Sequence, residues 1–515
     1  MNSEMILSVD IGTSFVKAGL YSADGVCIDS AKRETPKRYT DGALVQRADD
    51  FVSLFVEVVY EITSNNDIEA SRIRALTFTG QMAGVVGVDK DMNALTDWSG
   101  TVDSRQDLSV EDKSLSGRAL QISGTNTPIF AKKVQWFDAL LGDNAAKVHK
   151  YLGVSGYVMG KIMEKGADEA VLEATTMAFT GIADMENRRW SGELCDGFGI
   201  STDKLPRIVG STDVVGTLSD TFAQACGLVK GLPVVAGAGD KISSCIGTGL
   251  IRPGMIADEC STVGSLTLCV DKFKPNIDEH ALEVIPGVIP GTYYMMYYIA
   301  GSGVAVDWFI RSFAQEEQRI AQKHSLDVHT LLETQAEQID PGSDGLMAVG
   351  LLGGRSLPFT PSIRGAWIGH SFSHTKAHFY RSLLESLAFE NRRALDIMRN
   401  DFSNLTIDTI QVLGGGASSD LWNSIKADVS DAKYQTMDRS DSCLLGAAII
   451  GGTAVGIHNS LQDGAKFAAK AVKEFAPNEA RRRDYNEIYT LYTQVVSDNM
   501  NLFNKLQKRR KKNDA

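Results

Sequence analysis

VVAGAGDKISSCIGTG, residues 234–249, is the stretch on which the fold turns. It opens as an apolar run, the pattern of a buried strand. It then passes Gly237 and Gly239, where the backbone can bend sharply and approach a ligand closely. One acid follows, Asp240, and then small residues able to open a helix. A carboxylate between a buried strand and a helix N-terminus stands where open α/β sheets place their ligands. Two readings of Asp240 follow: a catalytic base, or a cap on the helix behind it.

The chain around this stretch has 515 residues, more than one ordinary core holds, so two large domains are expected. The formal net charge of −12 argues against a general binder of nucleic acid or anionic membrane. Seven cysteines (27, 195, 226, 245, 260, 269 and 443) form no CxxC pair, and there are only eight histidines. This usage suggests neither a zinc site nor a disulfide framework, and fits buried thiols in a reducing compartment. No basic segment followed by an apolar run opens the chain, and no apolar stretch has spanning length. A cytoplasmic protein is expected.

Toward the N-terminus, residues 5–35 read as a β-meander with a tight turn at Asp24-Gly25. Asp10-Ile-Gly-Thr13-Ser14 lies between its first two strands, with Lys17 just beyond. A strand-end acid followed by Gly-Thr-Ser offers a metal-facing carboxylate, with N–H and hydroxyl donors for phosphate. Taken singly, such a turn is an ordinary hairpin. The chain has neither GxxxxGK[ST] nor a GxGxxG opening a βα unit. If ATP binds, its phosphates are held by turns between strands. Residues 50–65 form an amphipathic helix with Phe51, Leu54, Phe55, Val58, Val59 and Ile62 on one face. Ile73–Thr79 is a buried strand running into Gly80-Gln81-Met82-Ala83-Gly84, where Gln81 can donate to and accept from a polyol. Asp103 and Arg105, read as two apart on a strand, share a face near it. A helix opens at Lys133.

Toward the C-terminus, Asp258-Glu-Cys-Ser261-Thr262-Val-Gly264 precedes a strand at 266–270 and echoes the Asp10 turn 248 residues earlier. The echo suggests duplicated halves. Gly301-Ser-Gly303 leads into a helix carrying Asp307. Residues 410–413 form a strand ending in Gly414-Gly415-Gly416, and a helix starts at Leu421 after Asp420; such a turn suits a flat adenosine. A last helix spans 485–505, and 508–512 is a solvated basic end.

In this order the segments resemble the FGGY family of carbohydrate kinases from Asp10 to about Gly456. DIGTSFVKAGLY resembles that family's first phosphate segment, and FTGQMAG (78–84) the sugar segment of its xylulose kinases. KVQW (133–136) and residues 365–392 resemble its two signatures. LPRIVGSTDVVGTLSDTFAQACGLVKGLPVVAGAGD (205–240) leads to the family's catalytic Asp. STVG (261–264) is similar to the second phosphate turn, and VLGGGASSDLW (412–422) to the adenosine segment.

The resemblance implies α/β architecture: two actin-like, ribonuclease H-like ATPase domains with a catalytic cleft between them, divided as 1–253 (sugar and γ-phosphate) and 254–515 (ATP). It implies an ATP-dependent kinase acting on a sugar hydroxyl, with Asp240 as base and Mg²⁺ held by Asp10 and Asp240. ATP would meet Thr13, Ser14, Lys17, Thr262, Gly303, Asp307, Gly415, Gly416 and Asp420. The sugar would meet Gln81, Met82, Ala83, Arg105, Asp240 and Lys241. The implied assembly is a homodimer, with neither nucleic acid nor membrane as partner. A ketopentose such as xylulose leads; another polyol, a hexulose, a heptulose or a sugar acid stays open. Ala83 and Lys241 stand where xylulose kinases carry His and Asn, and Ser261 replaces a glycine. The other class to weigh is an actin-like ATPase or chaperone without a sugar, which shares the fold.

Overall fold

The computed structural model describes residues 4–40, 42–65, 67–125, 127–261 and 264–513, with residues 510–513 as backbone only. Two large sheets carry it. The first holds β1 (Met5–Ile11), β2 (Phe15–Ser22), β3 (Cys27–Glu34), β4 (Ile73–Gly80), β5 (Val214–Thr217) and β6 (Pro233–Gly239), ordered β5-β6-β4-β1-β2-β3. The second holds β7 (Ile256–Glu259), β8 (Gly264–Val270), β9 (Glu283–Pro286), β10 (Tyr293–Ile299), β11 (Thr409–Leu413), β12 (Lys433–Met437) and β13 (Ala471–Phe475), ordered β9-β10-β8-β7-β11-β12-β13.

The two sheets follow one path. In the first, β1, β2 and β3 meander antiparallel, and β1, β4 and β6 run parallel. In the second, β7, β8 and β10 are antiparallel, and β7, β11 and β12 parallel. The echo between Asp10 and Asp258 is thus an echo of topology. This is the actin-like, ribonuclease H-like architecture that the motifs imply.

The described helices include α1 (Ala48–Thr63), α2 (Ile129–Leu141), α3 (Asp240–Gly247), α4 (Ser302–Phe313), α5 (Lys376–Asp401), α6 (Asp420–Ser430), α7 (Ser442–Ala454), α8 (Glu479–Asp498) and α9 (Met500–Asn513). The apolar stripe of α1 (Phe51, Phe55, Val58, Val59 and Ile62) is buried in one core with β1 residues Leu7, Val9 and Ile11. In the second half, Tyr380, Leu383 and Leu387 of α5 share a core with Leu266 and Leu268. Each such side chain contributes roughly 1.5–3 kcal/mol relative to exposure.

A third core joins the halves. Ile242, Cys245 and Ile246 of α3 meet Leu445, Ala448 and Ile449 of α7. The helices touch backbone to backbone. A Cβ on Gly247 would lie 1.9 Å from the Ser442 carbonyl oxygen, and one on Gly446 1.8 Å from that of Ser243. No other residue type fits there.

Three local expectations change. Residues 100–106 form turns and bends, not a strand carrying Asp103 and Arg105 on one face, because Asp103 closes on its neighbours: it accepts from Ser99 Oγ (2.8 Å) and from Arg105 Nε and Nη2 (2.9 and 2.7 Å). The helix placed at Lys133 starts earlier, at Ile129. The terminal helix is two helices, broken at Asn499, whose side chain donates back to the Val495 carbonyl (2.8 Å). Among the described residues, no helix is long and apolar enough to cross a membrane.

Candidate active site

Three parallel strands end level. Ile11 pairs with Gly80, and Gly80 with Gly239. Gly12, Gln81 and Asp240 therefore leave the sheet side by side at the carboxyl ends of their strands, where open α/β sheets bind ligands. β6 reaches this level through a register shift between Val235 and Ala238. Gly237 makes the shift possible: its φ is +73°, and a Cβ there would lie 1.6 Å from the Phe78 carbonyl oxygen.

A buried acid absent from the sequence reading pins the end of β6. Glu173 Oε1 and Thr175 Oγ1 both accept from the Gly239 N–H (3.1 and 2.9 Å), and Glu173 also accepts from the N–H groups of Thr175 and Thr176. Gly239 occupies the N-cap of α3, so Asp240 is the first helical residue and does not cap the helix. Its Oδ1 accepts from the Lys241 N–H (2.7 Å).

Asp240 lines a cavity of about 650 Å³ between the two sheets. Asp10, Thr13, Gln81, Met82, Ala83 and Lys241, all expected at ATP or sugar, line it too. The second sheet supplies the opposite wall through Glu259, Ser265, Glu283, Met296 and Tyr298. Burial, and then the charge of Asp10, push the Asp240 carboxyl up to about 7. Burial likewise raises Asp10, against the pull of Lys17 at 3.7 Å. A poised carboxylate in a half-enclosed cavity is what a general base needs.

Lys241 faces this cavity but is already engaged. Its Nζ lies 2.5 Å from Glu259 Oε2 and donates to Ser265 Oγ at 2.8 Å. Burial alone would lower it; Glu259 more than offsets that, and Lys241 in turn holds Glu259 low. Arg105 is not among the cavity-lining residues. Its guanidinium forks onto Asp103 and lies 4.7 Å over the Trp136 ring. Lys133, from the KVQW segment, is buried beneath the same turn. It donates to Ser99 Oγ and the Gly100 carbonyl, both at 2.8 Å, and burial brings it down to about 8.

A second cavity of about 380 Å³ lies at the carboxyl ends of β7 and β11. It gathers Gly303, Asp307, Gly415 and Gly416 as the motifs imply, and adds Trp422, Glu333 and Tyr380. Asp420 is not part of it; that carboxylate pairs with Lys473 at the surface. Ser14 is exposed on the β1–β2 turn, and Thr262 lies outside the described residues.

Among the described residues, no three acids, cysteines or histidines gather to hold a metal by themselves. Asp10 Oδ1 is nevertheless buried without a hydrogen-bond partner, and Asp10 and Asp240 raise one charge problem between them. Mg²⁺ typically takes one or two carboxylates and completes its shell with water and substrate phosphate. The pair fits such an ion.

Comparison with known proteins agrees. The model described as the FGGY family of carbohydrate kinases, N-terminal domain, matches residues 5–247, and its C-terminal counterpart matches residues 259–455. A xylulose kinase of Bacillus subtilis (strain 168) is 26% identical over 513 residues, covering 98% of this chain and 99% of that one. A gluconokinase of the same organism is 26% identical over 501 residues, covering 95% and 94%. The crystal structure of a ligand-bound xylulose kinase from Lactobacillus acidophilus superposes with a TM-score of 0.86 at 21% identity, over 98% of this chain and 100% of that chain.

Proposed function

The chain belongs to the FGGY family of carbohydrate kinases, and from that premise we propose that it transfers the γ-phosphoryl group of ATP to a hydroxyl of a ketopentose such as xylulose. The observation that carries this is the position of Asp240. It stands level with Gln81 at the ends of parallel strands, in a 650 Å³ cavity between the sheets, with its carboxyl raised to about 7.

Asp240 accepts the proton of the attacking hydroxyl, which is worth roughly 10²–10⁴ in rate. Gln81, Met82 and Ala83 hold the acceptor; Arg105 supports that wall through Asp103, and Lys241 through Glu259. Gly415 and Gly416 carry the adenosine, with Asp420 opening the helix behind them. Gly303 and Asp307 lead to the phosphates. Thr13, Ser14 and Lys17 meet the γ-phosphate from the other side. Mg²⁺, held by Asp10 and Asp240, would neutralise phosphate charge when bound. The remaining acceleration comes from positioning and from excluding water as the halves 1–253 and 254–515 close.

A gluconokinase is as similar to the chain as a xylulose kinase is, and an autoinducer-2 kinase of Enterobacter sp. (strain 638) is 24% identical. The acceptor is therefore what an experiment must decide. ADP release is measured with ketoses, polyols and aldonates. A sugar-dependent rise with a ketopentose in front is expected. Turnover indifferent to every sugar would instead match an ATPase of the same fold.

A further inference from the structure

Among the described residues, four acids line the acceptor cavity, Asp10, Asp240, Glu259 and Glu283, against one cation, Lys241. That cation is held by Glu259 and Ser265, so its charge is spent inside the wall. Glu283 opens β9 and is only 6% exposed. The Thr125 hydroxyl donates to its carboxyl, while Oε2 is buried with no partner. Buried polar atoms are rarely left so, and one on a cavity wall awaits a ligand donor. Ile129, Phe179, Met296 and Leu357 add apolar wall, which offers an anion no compensation.

We propose that Glu283 reads the acceptor: its free oxygen takes a hydrogen bond from a substrate hydroxyl, and its charge confines the site to uncharged polyhydroxy acceptors and rejects aldonates. This rests on the carbohydrate-kinase reading and narrows it. An aldonate carries its own carboxylate. In the cavity it would lose hydration and meet carboxylates without a free ammonium or guanidinium among the lining residues. What favours an anion is the set of helix amino ends on this cavity, that of α2 at Ile129, that of α3 at Asp240 and that of α7 at Cys443. Glu283, also on that cavity, stands against it.

The test uses the full chain with saturating MgATP at about pH 8, where a carboxyl raised by burial is ionised. ADP release is followed with xylulose, ribulose, xylitol, xylonate and gluconate. At least one neutral acceptor should be turned over, with kcat/KM for the aldonates lower by at least about 10²-fold. Glu283→Gln should shrink that ratio by about tenfold or more, and Glu283→Ala should raise the KM of the neutral acceptor more than it lowers kcat. Calorimetric titration of xylulose and gluconate into the wild-type protein and Glu283→Gln gives the same comparison without turnover. Preferred turnover of an aldonate, or a ratio unmoved by Glu283→Gln in folded protein, overturns the assignment and leaves the kinase reading standing. ADP release indifferent to all five compounds, with no heat of binding, overturns both.

Discussion

The Thr13 hydroxyl donates to Gln81 Oε1 across 3.1 Å, tying the first phosphate turn to the acceptor segment. The tie decides which end of the Gln81 amide is free. Gln81 Nε2 is buried without a partner, so it is the amide donor left for a ligand. Gln46 steadies the arrangement by donating to the Thr13 carbonyl (2.9 Å).

Removing that hydroxyl should therefore act on the acceptor, although Thr13 sits in a phosphate turn. Thr13→Val frees the amide to rotate, at the cost of one net hydrogen bond, about 0.5–1.5 kcal/mol. The acceptor KM should rise roughly threefold to tenfold. Thr13→Ser keeps the donor and should stay close to wild type. Steady-state kinetics with each substrate varied in turn checks this; a loss confined to the KM for ATP would show the tie to be idle.

Asp10 is expected to serve phosphate and metal, not acceptor. Its carboxyl shares the cavity with Asp240 and keeps one buried oxygen unpartnered. Asp10→Ala should cut kcat by about 10²-fold or more, while acceptor affinity without nucleotide stays nearly the same. Calorimetry on the nucleotide-free variant reads the second half of the statement. A large loss of acceptor binding there would move Asp10 to the sugar.

Glu283 makes stability depend on pH in a known direction. Its ordinary value is 4.5, and burial raises it to about 7 in the folded chain, so folded protein holds the proton more tightly than unfolded. The stabilisation is whole below 4.5, fades as pH rises toward 7, and is gone above it. Full ionisation costs on the order of 3 kcal/mol. Glu283→Gln never ionises, so its melting temperature relative to wild type should climb between about pH 5 and pH 8. Parallel melts across that window test it, and a constant offset would mean that Glu283 titrates as if in water.

Close backbone contact between α3 and α7 gives a mechanical prediction. Gly446→Ala drives a methyl group into the Ser243 carbonyl oxygen, at 1.8 Å before relaxation, and should destabilise by at least about 1–3 kcal/mol. Gly117→Ala is the control: it sits in the helix Lys113–Ser123 with nothing within 4 Å of its Cβ, and should be stabilising by up to about 1 kcal/mol. Thermal melts should therefore move in opposite directions. Equal shifts would mean that the helix crossing yields without strain.

The strands and motif turns were legible because each carries local chemistry. Apolar runs end in Asp10, Gly80 and Gly239, and glycines stand where only glycine fits. What the sequence hid was pairing across the cleft. Lys241 is readable as a sugar contact or as one end of a salt bridge, and only the other sheet supplies its partner, Glu259. Glu283 is one acid heading an apolar strand, and nothing along the chain says that β9 walls the cavity under β6. Arg105 pairs with Asp103 two residues earlier, a partner visible in the sequence, and so does not reach the cavity. Glu173 holds Gly239 from 66 residues away, a distance at which no periodicity speaks.

Asp240 carries the decisive prediction. Asp240→Asn keeps the shape and the acceptor atom for the Lys241 N–H, but removes the base and one of the two charges crowded with Asp10. Turnover should fall by at least roughly 10²-fold, the smaller end of what a general base contributes. The protein should fold, and should melt no lower than wild type, because burial and the Asp10 charge both oppose ionisation of Asp240 in the folded chain. A capping role predicts the opposite kinetics, since Asn caps about as well as Asp, and the cap position belongs to Gly239. Glu173→Gln offers a companion: it weakens the hold on the Gly239 N–H without touching the base. It should lower kcat through misplacement of Asp240, yet leave the shape of the pH profile intact. Near wild-type turnover by folded Asp240→Asn protein would remove the base from the mechanism, whatever the acceptor proves to be.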